Sequence, residues 1–132
     1  MATKNLPKDT LRASAILTNA YVGSSSLNMD NVDDVAFWVH FTKGSLTSYE
    51  VKVQFSPDPS TTADASSSWG DMVEADGTVW IGSYTDTELT VCIRPVLTGG
   101  GHVVARKARV AVNGTGTLTS SLCDVVAVRR VG

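Results

Sequence analysis

The stretch VAFWVHFTKGSLTSYEVKVQFS, residues 35–56, decides the fold. Successive side chains of an extended strand point to opposite faces. A period of two therefore puts Val35, Phe37, Val39 and Phe41 on one face, and Ala36, Trp38, His40 and Thr42 on the other. After the turn-like Lys43-Gly44-Ser45 the alternation resumes, with Tyr49, Val51, Val53 and Phe55 set against Glu50, Lys52 and Gln54. Two antiparallel neighbours joined by a short loop are expected. An amphipathic helix would need apolar residues three and four apart, and no window longer than about ten residues sustains that spacing.

Outward from this pair the same reading repeats. Residues 57–68 are loaded with Pro, Ser, Thr, Ala and Asp, which favour solvated coil and predict an exposed loop. Asp76-Gly77 between short apolar runs predicts a hairpin. A strand over 87–97 puts Leu89, Val91 and Ile93 on one face and ends near Pro95, which has no amide to donate. Gly99, Gly100 and Gly101 lead to a strand over 102–112, in which Ala108, Val110 and Val112 lie opposite Lys107, Arg109 and Ala111. A turn at 113–116 precedes a last strand at 122–131, and 13–22 supplies a first one. The sum is an all-β antiparallel sandwich of seven to eight strands, jelly-roll or Ig-like. Residues 1–12 read as an N-terminal arm, in which Pro7 could open a short helix, and 13–132 as one domain. The arm and the 57–68 loop are expected to be mobile until a partner orders them.

A length of 132 residues with 42% hydrophobic content is enough for one core. A formal net charge of −2 gives no field for phosphate, so nucleic acid is not expected as the main partner. The N-terminus holds no apolar stretch of signal or membrane-span length, and the chain is expected in the cytosol or in something assembled there. Cys92 and Cys123 both sit in apolar runs and are expected to be buried free thiols.

Catalytic chemistry needs a nucleophile, a base within reach and a group that orients the base. The two histidines, His40 and His102, have no motif beside them, and no Ser occupies a nucleophile elbow. Two cysteines 31 positions apart with two unclustered histidines do not make a zinc site. Asp30, Asp33 and Asp34 lack the spacing of a calcium loop. Glu50, Glu74 and Glu88 read as surface residues, and the glycine clusters lack the lysine of a phosphate loop. The expectation is a non-enzyme with no metal and no cofactor. What remains are contact candidates: Lys4 and Lys8 in the arm, the cluster Arg106-Lys107-Arg109, the pair Arg129-Arg130, and Trp38 on the second face of its strand. At least two of Trp38, Trp69 and Trp80 are expected in the core.

The run FTKGSLTSYEVKVQFSPD at 41–58, followed by Trp69, resembles small virion proteins of tailed bacteriophages. In these a strand ends in a Lys-Gly-Ser turn, a second ends in Phe-Ser-Pro or Phe-Ser-Asp, and a tryptophan follows. The run ARVAVNGTGTLTSSLCDVVAV at 108–128 is similar to their closing hairpin. Together the two cover about a third of the chain, and the insertion at 59–68 departs from the pattern. The resemblance implies a capsid cement or decoration subunit that stabilises joints between coat subunits, or a tail or head-tail connector. It implies a major capsid or other virion protein as partner, self-association into a trimer or dimer, and a place in the virion after assembly in the host cytoplasm. Three tryptophans on a sandwich also fit a carbohydrate-binding module with an aromatic sugar platform.

Overall fold

The computed structural model describes residues 6–95 and 105–131, so Lys4, His102 and the glycines 99–101 lie outside the described residues. Among the described residues ten strands form in chain order: β1 (Lys8–Ala15), β2 (Val22–Gly23), β3 (Leu27–Asn28), β4 (Val32–Thr42), β5 (Leu46–Ser56), β6 (Gly70–Asp71), β7 (Gly82–Tyr84), β8 (Glu88–Ile93), β9 (Lys107–Gly116) and β10 (Leu122–Val131). They build an antiparallel sandwich. One sheet has the order β1-β10-β4-β8 and the other β2-β9-β5-β6, with β3 also on β9 and β7 also on β5. The count exceeds seven to eight because of the two-residue strands β2, β3 and β6.

The alternation of residues 35–56 sets the core. Phe37, Val39 and Phe41 of β4 and Tyr49, Val51 and Val53 of β5 are all fully buried. They face each other between the sheets, and the Phe41 and Tyr49 rings stack with centroids 4.3 Å apart. Val125, Ala127 and Cys123 of β10 and Val110, Val112 and Ala108 of β9 complete the two inner faces. Each large side chain buried this way contributes about 1.5–3 kcal/mol.

β4 and β5 are not neighbours. β4 lies between β10 and β8, whereas β5 pairs with β9, β6 and β7. Lys43-Gly44-Ser45 is therefore an arch that carries the chain from one sheet to the other. Residues 117–121 cross between β9 and β10 beside it, and the two arches are tied by the Ser45 amide donating to Ser120 Oγ at 2.9 Å. Gly44 makes the contact possible: its φ is +57°, and a Cβ there would sit 2.4 Å from the Ser120 carbonyl oxygen.

Other boundaries move for local reasons. Residues 8–12 are strand, not arm or helix: β1 pairs with β10 from Lys8 onward, and the Pro7 carbonyl accepts from the Arg129 amide. Two register irregularities bend β1 around Arg12, whose Nε donates to the Cys123 carbonyl at 3.1 Å. Residues 113–116 continue β9 by pairing with residues 46–50 of β5, so the turn falls later. The Asp76-Gly77 hairpin forms as expected: Gly77 has φ +86°, Val73 bridges Val79, and the Thr78 amide donates to Asp76 Oδ1.

Residues 57–68 are not a free loop. They contain a 3-10 turn, Asp64–Ser66, and fold over the outer face of β9. Asp64 accepts from the Ser26 amide and hydroxyl, at 3.1 and 2.7 Å, and from Lys107 Nζ.

Candidate functional site

The outward face of the β1-β10-β4-β8 sheet carries side chains in rows across the strands. The central row is Thr10, Val126, Trp38 and Cys92, one residue from each strand. Trp38 is 44% exposed there, an indole lying on an open sheet with a valine and a thiol as flanking neighbours. The next row towards the start of β4 is Lys8, Val128 and Ala36, and the one beyond it pairs Arg130 with Asp34. In the opposite direction the row is Asp124, His40 and Thr90, with Glu88 one step further along β8.

The two ends of this face differ in charge. At the β4 C-terminal end, His40 Nδ1 lies 3.0 Å from Asp124 Oδ1 and its Nε2 lies 2.9 Å from Glu88 Oε1. The hydrogen bond to Glu88, then that to Asp124, push the His40 pKa above its ordinary value. Both ring nitrogens are spent on carboxylates lying on opposite sides, so the three groups do not converge on one point. Among the described residues no group of His, Cys, Asp and Glu is arranged to hold a metal ion.

At the other end a groove of about 260 Å3 opens beside Leu6, Ala36, Val128, Asp34, Arg94 and Arg130, with Arg129 also on its wall. Arg94 grips Asp34 through Nη2 at 2.6 Å and Nε at 3.3 Å. The Arg94 hydrogen bond is the main cause holding the Asp34 carboxyl below its usual range. Asp34 is thus an ion-pair partner of Arg94 on β4. Arg129 Nε stands 3.2 Å from Asp9 Oδ2, an ion pair by distance in which neither buried atom makes an aligned hydrogen bond.

Of the residues singled out in the sequence, Lys8, Trp38 and Arg130 gather on this face, whereas Arg129 alternates to the inward side and reaches Asp9 and the Asn28 carbonyl. The Arg106-Lys107-Arg109 cluster belongs to the other sheet and is not a patch. Arg106 is exposed, 4.0 Å from Asp30. The Arg109 guanidinium lies 4.0 Å from the Trp69 ring centre, and its Nε donates to Gln54 at 2.8 Å. Lys107 is 0% exposed, which removes it from any contact surface. Its ammonium donates to the Thr62 carbonyl, to Asp64 and to Ser67 Oγ beneath the folded-over 57–69 segment.

The tryptophans also depart from expectation, since none is fully buried. Trp80 is half-buried against the core and Trp69 half-buried over β9. Cys92, expected to be buried, is exposed, while Cys123 is buried as expected. The two thiols are free and lie on opposite faces of one sheet, separated by β4. Arg94, Val126 and Val128 were not singled out as residues of this face. A signal existed: 125–128 is apolar at every position, so one of its two faces had to be an apolar face turned outward.

No protein-family model matches the chain, and no curated protein matches it. Among solved structures it is similar to a protein of the Bacillus endospore appendages, described as a family of disulfide-linked pili. The identity is 13%, the match covers 98% of this chain and 91% of that one, and the TM-score is 0.41. A likeness at that score does not extend to function or assembly.

Proposed function

We propose that the chain is a non-enzymatic structural protein of a tailed-phage virion, a cement or decoration subunit that stabilises joints between coat subunits. The observation that carries this reading is the half-exposed Trp38 at the centre of an open sheet face, flanked by Val126 and Cys92 and next to the Ala36–Val128 row. Large exposed aromatics in such a setting are the residues that dominate protein interfaces. The sequence resemblance at 41–58 and 108–128 and the all-β sandwich support the same role, although both runs cross between the sheets where hairpins were expected. A sugar platform is less well supported, because Trp69 and Trp80 are engaged elsewhere and the neighbours of Trp38 are Val126 and Cys92, which offer no hydroxyl-binding groups.

The test is co-sedimentation of the purified chain with capsids assembled without it, comparing wild type with Trp38→Ala. Saturable binding that weakens at least about tenfold in the variant is expected for a central interface aromatic. Absence of capsid binding, or a glycan array bound through Trp38, would overturn it. Light scattering of the free chain would show whether it adds to the lattice as a dimer, a trimer or a monomer.

A further inference from the structure

We propose that the groove at the Arg94–Arg130 end of this face receives a carboxylate side chain from an extended, acidic segment of the partner protein. The inference rests on the reading of that face as the docking surface and adds the chemistry of what docks. Charge sets the first term. The groove is lined by Arg94 and Arg130 against one lining carboxylate, Asp34, while the guanidinium of the third lining arginine, Arg129, is turned to Asp9. Arg94 turns only a portion of its donor fork to Asp34 and is 64% exposed. Arg130 lies beside Asp34 on the neighbouring strand and is exposed. An incoming carboxylate would accept from the remaining guanidinium edges, the planar two-point recognition that arginine favours.

The rows fix what must flank that carboxylate. From the Arg130–Asp34 pair the face passes to Ala36 and Val128, then to Trp38 and Val126, then to His40 and Asp124. Rows on one face recur every two residues, roughly 6.6 Å apart, which is also the repeat of side chains on one side of an extended peptide. Such a peptide places an acidic residue in the groove and an apolar one on Trp38. Its far end meets Glu88 and Asp124, which favour a basic or neutral residue. The same far end argues against a polyanion: a nucleic-acid strand laid along the face would bring phosphates onto those two carboxylates.

The experiment is an amide-resolved NMR titration of the full chain with a capped peptide reading Gly-Glu-Ser-Leu-Ser-Leu-Ser-Lys-Gly. It is compared with the same peptide carrying Gln for Glu, and with single-stranded oligothymidylate. Shifts confined to residues 34–40, 90–94 and 124–130 are expected. The Gln peptide should bind about threefold more weakly, the scale of an exposed ion pair, and that gap should vanish at about 0.3 M salt and in Arg130→Glu. Lys43→Gln, at the opposite end of β4, should leave the gap intact. Equal binding of the two peptides, shifts on the β9–β5 sheet, or tighter binding of the oligonucleotide would overturn the inference. Capsid binding separates the two proposals. If Trp38→Ala abolishes it and Arg130→Glu does not, the groove assignment fails and the cement reading stands; if neither variant affects it, the docking face itself is wrong.

Discussion

Lys107 Nζ lies 3.1 Å from the Asp64 carboxylate, joining a lysine with no exposed surface to a segment 43 residues away in sequence. The pair is completed by the Thr62 carbonyl and Ser67 hydroxyl on the lysine side and by Ser26 on the aspartate side. Burial alone would raise the Asp64 carboxyl, but the hydrogen bonds from Ser26 and Lys107 outweigh it and hold it below its ordinary value.

Asp64→Ala should therefore cost more than Lys107→Met. The first leaves a buried ammonium with only neutral partners, a loss of about 2–4 kcal/mol, whereas the second replaces the charge by an apolar chain of similar length and should cost about 1 kcal/mol. Urea midpoints with a common slope check the order. Hydrogen exchange should show residues 57–69 protected in wild type and released in Asp64→Ala. The folded Asp64 pKa is depressed, so its contribution is present above the unfolded value near 3.9 and is lost as pH falls through the folded one.

This latch also shows where the sequence stops being legible. The alternation of β9 places Lys107 and Arg109 on the outer face, opposite Ala108 and Val110, and that is where they are. Outer is not solvent, however, because the Ser- and Asp-rich 57–69 segment folds back over them. Its composition states that it cannot form a packed strand and says nothing of the polar lid it makes. The arch at 43–45 has the same character. Lys-Gly-Ser between two alternating runs reads equally as a hairpin or as a crossing, and only the contact with Ser120, a non-local fact, decides. The apolar strip on the outward face was more legible, in the unbroken run at 125–128, but its pairing with Trp38 needed the strand order.

Gly44 and Gly77 make a matched pair. Both have positive φ, yet a Cβ at Gly44 meets the Ser120 backbone, and one at Gly77 meets nothing within 4 Å. Gly77→Ala should cost about 1 kcal/mol, the penalty of the left-handed backbone alone. Gly44→Ala should cost at least about 2 kcal/mol more, since it must also push apart the arches that cross between the sheets. Thermal or chemical unfolding of the two variants measures the difference. Equal costs would mean the arches are not in contact.

The two thiols should separate cleanly. Cys92 is exposed on the edge strand β8, whereas burial pushes the Cys123 thiol up to about 12. Ellman's reagent should modify one thiol per folded chain and two after denaturation. Cys92→Ser should abolish the folded-state reaction, and Cys123→Ser should leave it unchanged while costing stability through a hydroxyl placed in the core. Rapid reaction of both thiols in the folded chain would contradict the inward placement of Cys123 on β10.

His40 gives the face a pH dependence whose sign is fixed by its partners. Glu88 and Asp124 stabilise the imidazolium, so the folded pKa lies above the value near 6.5 expected in the unfolded chain. A raised folded pKa contributes stability that is fully present below the unfolded value and is lost as pH rises through the folded one. The site is about a third exposed, and solvent screening limits the effect to under about 1 kcal/mol. Denaturant midpoints measured from pH 6 upward should fall through the folded His40 titration, and His40→Gln should flatten that fall. Histidine side-chain NMR supplies the independent check, with the His40 resonance titrating above the ordinary range and returning towards it in Glu88→Gln. The Asp124→Asn variant should give a similar return, because a neutral amide in place of either carboxylate removes a negative charge that stabilises the imidazolium. A His40 resonance at the ordinary value in wild type would mean that the three strands are not bridged in solution, and the charge at that end of the docking face would then be purely acidic above neutral pH.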